Sequence, residues 1–364
     1  CISIQYTGIS VTTRAHKGRG AVSAPVGRFE QRPVELDADI AFEQSQRAPE
    51  TIVRSMPANS IISTNDSPDI PFDQSINPYQ GCEHGCVYCY ARPSHSYLDL
   101  SPGLDFETRI FYKPNAASLL LDAWEKKNYA CKPITIGANT DPYQPTEKTH
   151  EITRQLLELF LKHRHPVNII TKSNLVVRDL DLLTELAGLN LCSVAVSVPT
   201  MSAELKRAME PRIPSAAARL SAIQQLADNG VPTSALIAPV IPAINDHEIE
   251  TILDAVASAG ASQAHYIFLR LPHEVQDIFT DWLGTHFPDR RERVMSLIRQ
   301  ASGGRSYDSR FGVRQTGRGA YAEMLASRFQ ASCRKLGLNN EHYQHALDCE
   351  QFLRPGAQQL GLDF

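Results

Sequence analysis

Two rhythms of apolar and polar positions alternate along most of the chain. Short apolar runs rich in β-branched and aromatic residues occur at 76–81, 133–137, 166–172, 193–198, 234–240 and 266–270. Each has the length and content of a strand buried on both faces. Between them, at 115–127, 149–163, 179–188, 215–229 and 246–259, apolar residues recur three and four positions apart, the spacing of an amphipathic helix. Thr149 precedes one helix, Asn245-Asp246 caps another, and Gly230 follows the fourth where a C-terminal glycine belongs. Strand and helix in alternation predict a parallel, curved sheet wrapped by helices. Six units rather than eight predict an α/β fold of the partial (β/α)6 TIM-barrel type, left open. Ligands of such sheets bind beyond the carboxyl ends of the strands. No repeat of fixed period runs through the sequence.

The pattern weakens on both sides of this core. Residues 1–70 are rich in Pro, Gly, Ser, Thr and charge, and read as a partly irregular N-terminal extension, an arm over the domain or a tail. Lys17-Gly18-Arg19-Gly20 and Gly27-Arg28-Phe29 are small basic pieces within it. Asn65-Asp66-Ser67-Pro68-Asp69 is a turn cluster and a natural boundary. The core domain is therefore expected at 71–288 and a helical C-terminal tail, packed on it, at 289–364.

Composition adds little until the tail. An apolar content of 42% in 364 residues is ample for one large domain or two ordinary ones. No apolar run is long enough to span a membrane, and the first residues lack the pattern of a secretory leader. The chain begins at Cys1 rather than at a methionine, which leaves its native start open. The net formal charge is −4, yet residues 289–335 hold eleven Lys or Arg against four Asp or Glu. Within that stretch, 303–319 mixes arginine and glycine with Tyr307 and Phe311. Arginine neutralises phosphates and an aromatic ring stacks on an unpaired base, so the stretch is a candidate nucleic-acid contact. A basic loop packed against an acidic barrel, or a cover over the barrel mouth that excludes water, reads equally well.

Of eight cysteines, only Cys82, Cys86 and Cys89 cluster, in a C-x3-C-x2-C spacing. A secreted disulfide framework would be denser in a shorter chain, so a reducing, cytoplasmic setting is expected. Three thiolates this close can converge on one soft metal centre. They can hold three irons of a [4Fe–4S] cube and leave the fourth iron open to a small ligand. The alternative is a zinc loop that recruits His84 as fourth ligand. Gly81 and Gly85 let the loop fold tightly, and Tyr88 stands ready to cover the metal. At the predicted strand ends lie Asn139, Thr140, Asp141 and Glu147, then Lys172, Ser197 and Arg212. A lysine at a buried strand end needs an anionic partner, and an arginine can grip a carboxylate or phosphate with two hydrogen bonds.

The cysteine spacing, with an aromatic residue beside the third cysteine, resembles the signature of the radical S-adenosylmethionine (SAM) superfamily. The resemblance implies a [4Fe–4S] cluster on Cys82, Cys86 and Cys89, SAM chelated to the open iron, and reductive cleavage of SAM to a 5′-deoxyadenosyl radical. It also implies a reductant such as flavodoxin or ferredoxin. Tyr88, Asn139, Thr140, Lys172, Ser197 and Arg212 become candidates for the SAM pocket. Glu210-Pro211-Arg212 and Ile244-Asn245-Asp246, together with 139–147, resemble the spore photoproduct lyase-like branch, over about residues 60–285. That branch implies action on nucleic acid. A cysteine returns a hydrogen in the photoproduct lyase itself, which singles out Cys131 as candidate donor. A radical SAM enzyme for a protein or small molecule, and a non-catalytic metal-binding module, are the competing readings.

Overall fold

A computed structural model of the chain describes residues 15–29, 49–340 and 346–356. The parts of the expected extension and tail that fall on 1–14, 30–48, 341–345 and 357–364 lie outside the described residues.

Among the described residues ten strands form two sheets. β1 (Ile52–Ser55), β5 (Arg109–Tyr112) and β4 (Tyr79–Gln80) make a small sheet in the order β1-β5-β4. The large sheet runs β10-β9-β8-β7-β6-β3-β2. Its strands are β2 (Ile62–Thr64), β3 (Gln74–Ile76), β6 (Ile134–Ile136), β7 (Val167–Thr171), β8 (Cys192–Ser197), β9 (Thr233–Val240) and β10 (Gln263–Phe268). Six of them are parallel and adjacent in chain order; β2 joins β3 antiparallel at one edge. The longer helices of this part are α1 (Ala116–Glu125), α2 (Ile152–Lys162), α3 (Leu180–Gly188), α4 (Ala216–Asp228), α5 (Ile249–Ser258) and α6 (Val275–His286), one after each parallel strand in turn; short helical turns at Leu104–Thr108, Glu147–His150 and Ala203–Met209 lie before or between them.

The strand faces differ from the sequence expectation. Val167, Ile169 and Thr171 are buried under the helices, whereas Asn168 and Ile170 between them are half-exposed. β8 and β9 alternate in the same way along most of their length. Burial on both faces fails because six strands enclose a concave space that side chains do not fill. The outer face is packed: Leu120 and Trp124 of α1, Leu156 and Phe160 of α2, Leu183 and Leu186 of α3 are fully buried. Each such side chain is worth about 1.5–3 kcal/mol when fully buried.

Two local expectations also change. The run 76–81 is one apolar stretch but two strands: β3 ends at Ile76, and after Pro78, which has no N–H for a ladder, β4 pairs with β5 in the other sheet. This switch swings the cysteine loop over the carboxyl end of the large sheet. Asn245 does not cap α5; its amide accepts from Ile241 N at 2.6 Å and donates to the Pro199 and Pro239 carbonyls, tying the turn after β9 to the end of β8.

Beyond the barrel, α7 (Arg291–Ala301) buries Val294, Met295 and Ile298 against Phe279 and Trp282 of α6. α8 (Ala320–Leu336) lies along α5, where Arg328 holds Glu250 at 2.7 and 2.8 Å. The loop between α7 and α8 crosses from one edge of the large sheet to the other. Phe268 N of β10 donates to Gln315 O at 2.7 Å, while Gly312 N and Arg314 Nε each donate to Asp69 at 2.6 Å, in the turn between β2 and β3. A strap of basic sequence thus bridges the open side of the barrel, and much of its charge is spent internally: Arg314 on Asp69, Arg310 on Asp308.

Candidate active site

The cysteine loop is held from three sides. Gly85 has φ +68°, and a Cβ there would stand 2.7 Å from the Glu107 carboxylate, so a side chain is excluded on both counts. Cys82 N donates to Phe106 O at 2.9 Å, and Glu83 N donates to the Gln144 side chain at 2.9 Å. Arg92, fully buried, donates to Cys86 O at 2.9 Å and to the carbonyls of Pro102 and Gly103, and pairs with Glu107. Glu107 in turn accepts from Gly20 N at 3.0 Å and Ala21 N at 2.8 Å. The N-terminal piece read as a loose basic arm is therefore a brace. Arg19 donates to Glu107 O at 3.0 Å, Pro49 O at 2.7 Å and Thr51 Oγ1 at 3.0 Å.

Cys82, Cys86 and Cys89 line one wall of a cavity of about 190 Å³ at the carboxyl ends of the parallel strands. Lys172 after β7, Ser197 of β8, Asn139 after β6 and Arg270 after β10 face them across it. Lys172 Nζ donates to Ser197 Oγ at 2.6 Å and Ala238 O at 3.2 Å, lies 3.9 Å from Glu210, and sits 5.5 Å over the Tyr88 ring. Behind Tyr88 is a buried triad: its hydroxyl donates to Glu210, which Arg219 of α4 meets at 2.9 Å. Burial would raise the Glu210 pKa, but Arg219 and Lys172 outweigh it and hold the carboxyl below its ordinary range. Asp141 is anchored by Lys172 N at 2.7 Å and Thr171 Oγ1 at 2.8 Å, and its Oδ2 lies 3.4 Å from His84 Nδ1. Burial pushes the Cys86 thiol up, helped by Glu210 and the other two cysteines; burial and Cys82 raise Cys89 to about 11.

Of the residues singled out from sequence, Cys82, Cys86, Cys89, Tyr88, Asn139, Lys172 and Ser197 meet in this cavity. Three do not. Thr140 is buried beneath the loop, its hydroxyl bonded to Tyr79 O at 2.8 Å. Arg212 stands behind the cysteine loop, paired with Glu83 of that loop at 2.8 Å and bonded to Thr51 Oγ1 at 3.2 Å. Cys131 precedes β6 at the end of the sheet away from the cavity, beside Cys349. The sequence reading put Arg270 at the end of the sixth strand without giving it a role, and missed Arg219 and the Arg92–Glu107 pair. Arg219 carried a signal: it shares a helix face with Ala222, Ile223 and Leu226, an arginine where an apolar residue belongs.

The radical SAM superfamily model matches residues 76–256. An uncharacterized protein of Mycobacterium tuberculosis is 34% identical over 233 residues, which cover 64% of this chain and 68% of that protein. One of Methanocaldococcus jannaschii is 32% identical over 219 residues, 60% of this chain and 78% of that one. The chain belongs to the radical SAM superfamily, whose cofactors are SAM and a [4Fe–4S] cluster. Among solved structures, a spore photoproduct lyase variant matches with a TM-score of 0.58 at 16% identity, covering 86% of this chain and 87% of that one. A second variant, with AdoMet and a dinucleoside spore photoproduct bound, gives 0.58 at 16% identity, covering 84% and 86%. At that identity the likeness is one of fold. No helix among the described residues is long and apolar enough to cross a membrane.

Proposed function

We propose that this radical SAM enzyme acts on nucleic acid, with Cys82, Cys86 and Cys89 each ligating one iron of its cluster. The observation that carries the reading is the cavity itself: three thiols on one wall, and Lys172, Ser197 and Asn139 on the other. The donor set fits a cubane. Its thiols are soft and face a common space, and burial raises those of Cys86 and Cys89. Among the described residues no three His, Cys, Asp or Glu side chains converge tightly enough for a single metal ion. A cubane, with each thiolate on its own iron corner, does not require that convergence.

When bound, cluster and SAM supply a 5′-deoxyadenosyl radical that abstracts a hydrogen from substrate. The chain's own residues position and enclose. Lys172, which has donors beyond those given to Ser197 and Ala238, offers a cation to a carboxylate; Ser197 and Asn139 offer polar contacts beside it. The Tyr88–Glu210–Arg219 triad fixes the ring that Lys172 rests on. The strap and the cysteine loop narrow the approach and limit water around a reactive species.

Action on nucleic acid draws support from the fold shared with spore photoproduct lyase and from the arginine- and aromatic-rich strap at the barrel side. The electron donor is a flavodoxin or ferredoxin, and the reducing cytoplasm suits the cluster. The test is anaerobic reconstitution, reduction with dithionite in the presence of SAM, and detection of 5′-deoxyadenosine, with Cys86→Ala alongside. Product from the wild type alone, and a changed yield with ultraviolet-irradiated oligonucleotide, is the expected result. Zinc in place of iron and no product would overturn it.

A further inference from the structure

Arg270 is the cation in the cavity wall that no acid balances. Among the described residues it forms no ion pair, and its Nε is buried without a hydrogen-bond partner. Arg270 lines the cavity, and a cation held there without an acid marks where an anionic ligand belongs. The side chain is held in place by two rings. Its guanidinium carbon lies 5.2 Å from the Tyr90 ring centre and 6.0 Å from that of Tyr307, and Nη2 donates to the Tyr307 hydroxyl at 3.2 Å. Tyr90 is itself fixed through its hydroxyl to Ala138 O. The Tyr307 hydroxyl, having accepted from Arg270, still has a proton to give. Lys172, by contrast, already has Ser197, Ala238 and nearby Glu210.

We propose that Arg270, framed by Tyr90 and Tyr307, binds a phosphodiester of the substrate strand at the mouth of the cavity. This rests on the nucleic-acid reading above and deepens it. A planar fork suits a tetrahedral oxyanion, and the Tyr307 hydroxyl adds a third donor. Two exposed aromatic groups, one anchored through a residue four positions past Arg270 and one on the strap, suit a nucleotide chain better than a small anion. Arg28, tied to Glu274 at 3.6 Å just past Arg270, sits against the exposed, mutually packed rings of Phe29 and Tyr97, whose centres are 4.9 Å apart. Tyr97 is 70% exposed and Phe29 46%, large apolar faces that water leaves unsatisfied and a base can cover. The strap that carries Tyr307 also carries the exposed Phe311 ring, stacked on Arg314.

The experiment measures binding of a fluorescein-labelled single-stranded octathymidylate by anisotropy, to the reconstituted full chain with SAM, across a salt series. Arg270→Met is expected to weaken binding roughly tenfold or more and to lower the salt slope by about one phosphate contact. Arg270→Lys is expected to recover the slope but only part of the affinity, since it keeps the charge and loses the fork. Arg270→Met within twofold of wild type, with an unchanged slope, would overturn the assignment while leaving the nucleic-acid reading standing. Equal loss of SAM affinity in both variants would also overturn it, because the residue would then be shaping the cavity as a whole. If the wild type fails to bind the probe at low salt, the nucleic-acid reading falls and takes this one with it.

Discussion

Gly20 and Gly85 are packed backbone to backbone: a Cβ on Gly20 would lie 1.8 Å from the Gly85 carbonyl oxygen. One glycine belongs to the N-terminal arm and the other to the cysteine loop, so the arm sets how far the loop can move. Gly20→Ala must displace one of the two. The expected outcome is a reconstituted protein with well below wild-type iron content and a lower unfolding temperature. Gly188→Ala, which meets nothing within 4 Å at the end of α3, serves as control and should leave both unchanged or slightly improved. Wild-type iron and stability in Gly20→Ala would show that the contact is incidental.

Glu107 is the hub on which the arm, Arg92 and the loop converge. Its carboxylate and the Arg92 guanidinium are both fully buried. Removing the acid leaves a buried cation and two backbone N–H groups unpaired. Glu107→Ala should cost about 3–5 kcal/mol in urea unfolding, the range for breaking a buried pair from one side. A loss below about 1 kcal/mol would mean that the network relaxes into water.

Lys172 and Cys131 separate site from scaffold. Lys172→Met should raise the SAM dissociation constant roughly tenfold or more, as expected for a charge-assisted contact, measured by equilibrium dialysis on the reconstituted protein. Cys131→Ser, at the far end of β6, should leave 5′-deoxyadenosine yield at the wild-type level. A yield that collapses in Cys131→Ser would reinstate that cysteine in the chemistry.

His165 makes the fold acid-sensitive. It is stacked on Trp124 at 4.7 Å, bonded to the Tyr129 hydroxyl at 2.8 Å, and burial pulls its pKa down to about 4. In the unfolded chain the value is about 6.5. Between those values the unfolded state binds a proton that the folded state refuses, so stability rises with pH across the window. The contribution is complete above about pH 6.5 and falls by about 3 kcal/mol as pH approaches 4. Urea midpoints at pH 7, 5.5 and 4.5 should show a steeper acid loss for wild type than for His165→Gln; parallel curves would assign the acid loss to other groups.

What the sequence disclosed follows from how each residue acts. The parallel strands were legible because burial writes apolar runs: 166–172 became Val167–Thr171, and 193–198 became Cys192–Ser197. The cysteine loop was legible because metal chemistry demands residue types at fixed spacing. β1 was not, since all four of its residues are exposed and carry no burial pattern. α6 went unread although Val275, Ile278, Phe279, Trp282 and Leu283 recur three and four apart. The brace at Arg19–Ala21 was invisible because Gly20 and Ala21 act through backbone N–H groups, which no side-chain pattern reports. Arg212 misled because an arginine near a strand end looks alike whether its partner is a ligand or Glu83.

The strap has a consequence for the order in which the molecule is made. Its bond from Arg314 to Asp69 joins residues 245 positions apart in the chain. A ribosome delivers Asp69 early and Arg314 near the end, so every strand of the large sheet has emerged before the side of the barrel can be bridged. Until then the side of the barrel beside Cys82, Cys86 and Cys89 has no strap across it. The strap is thus a closing piece that the sheet must precede, and the cavity wall is complete only when residues far apart in the chain have met.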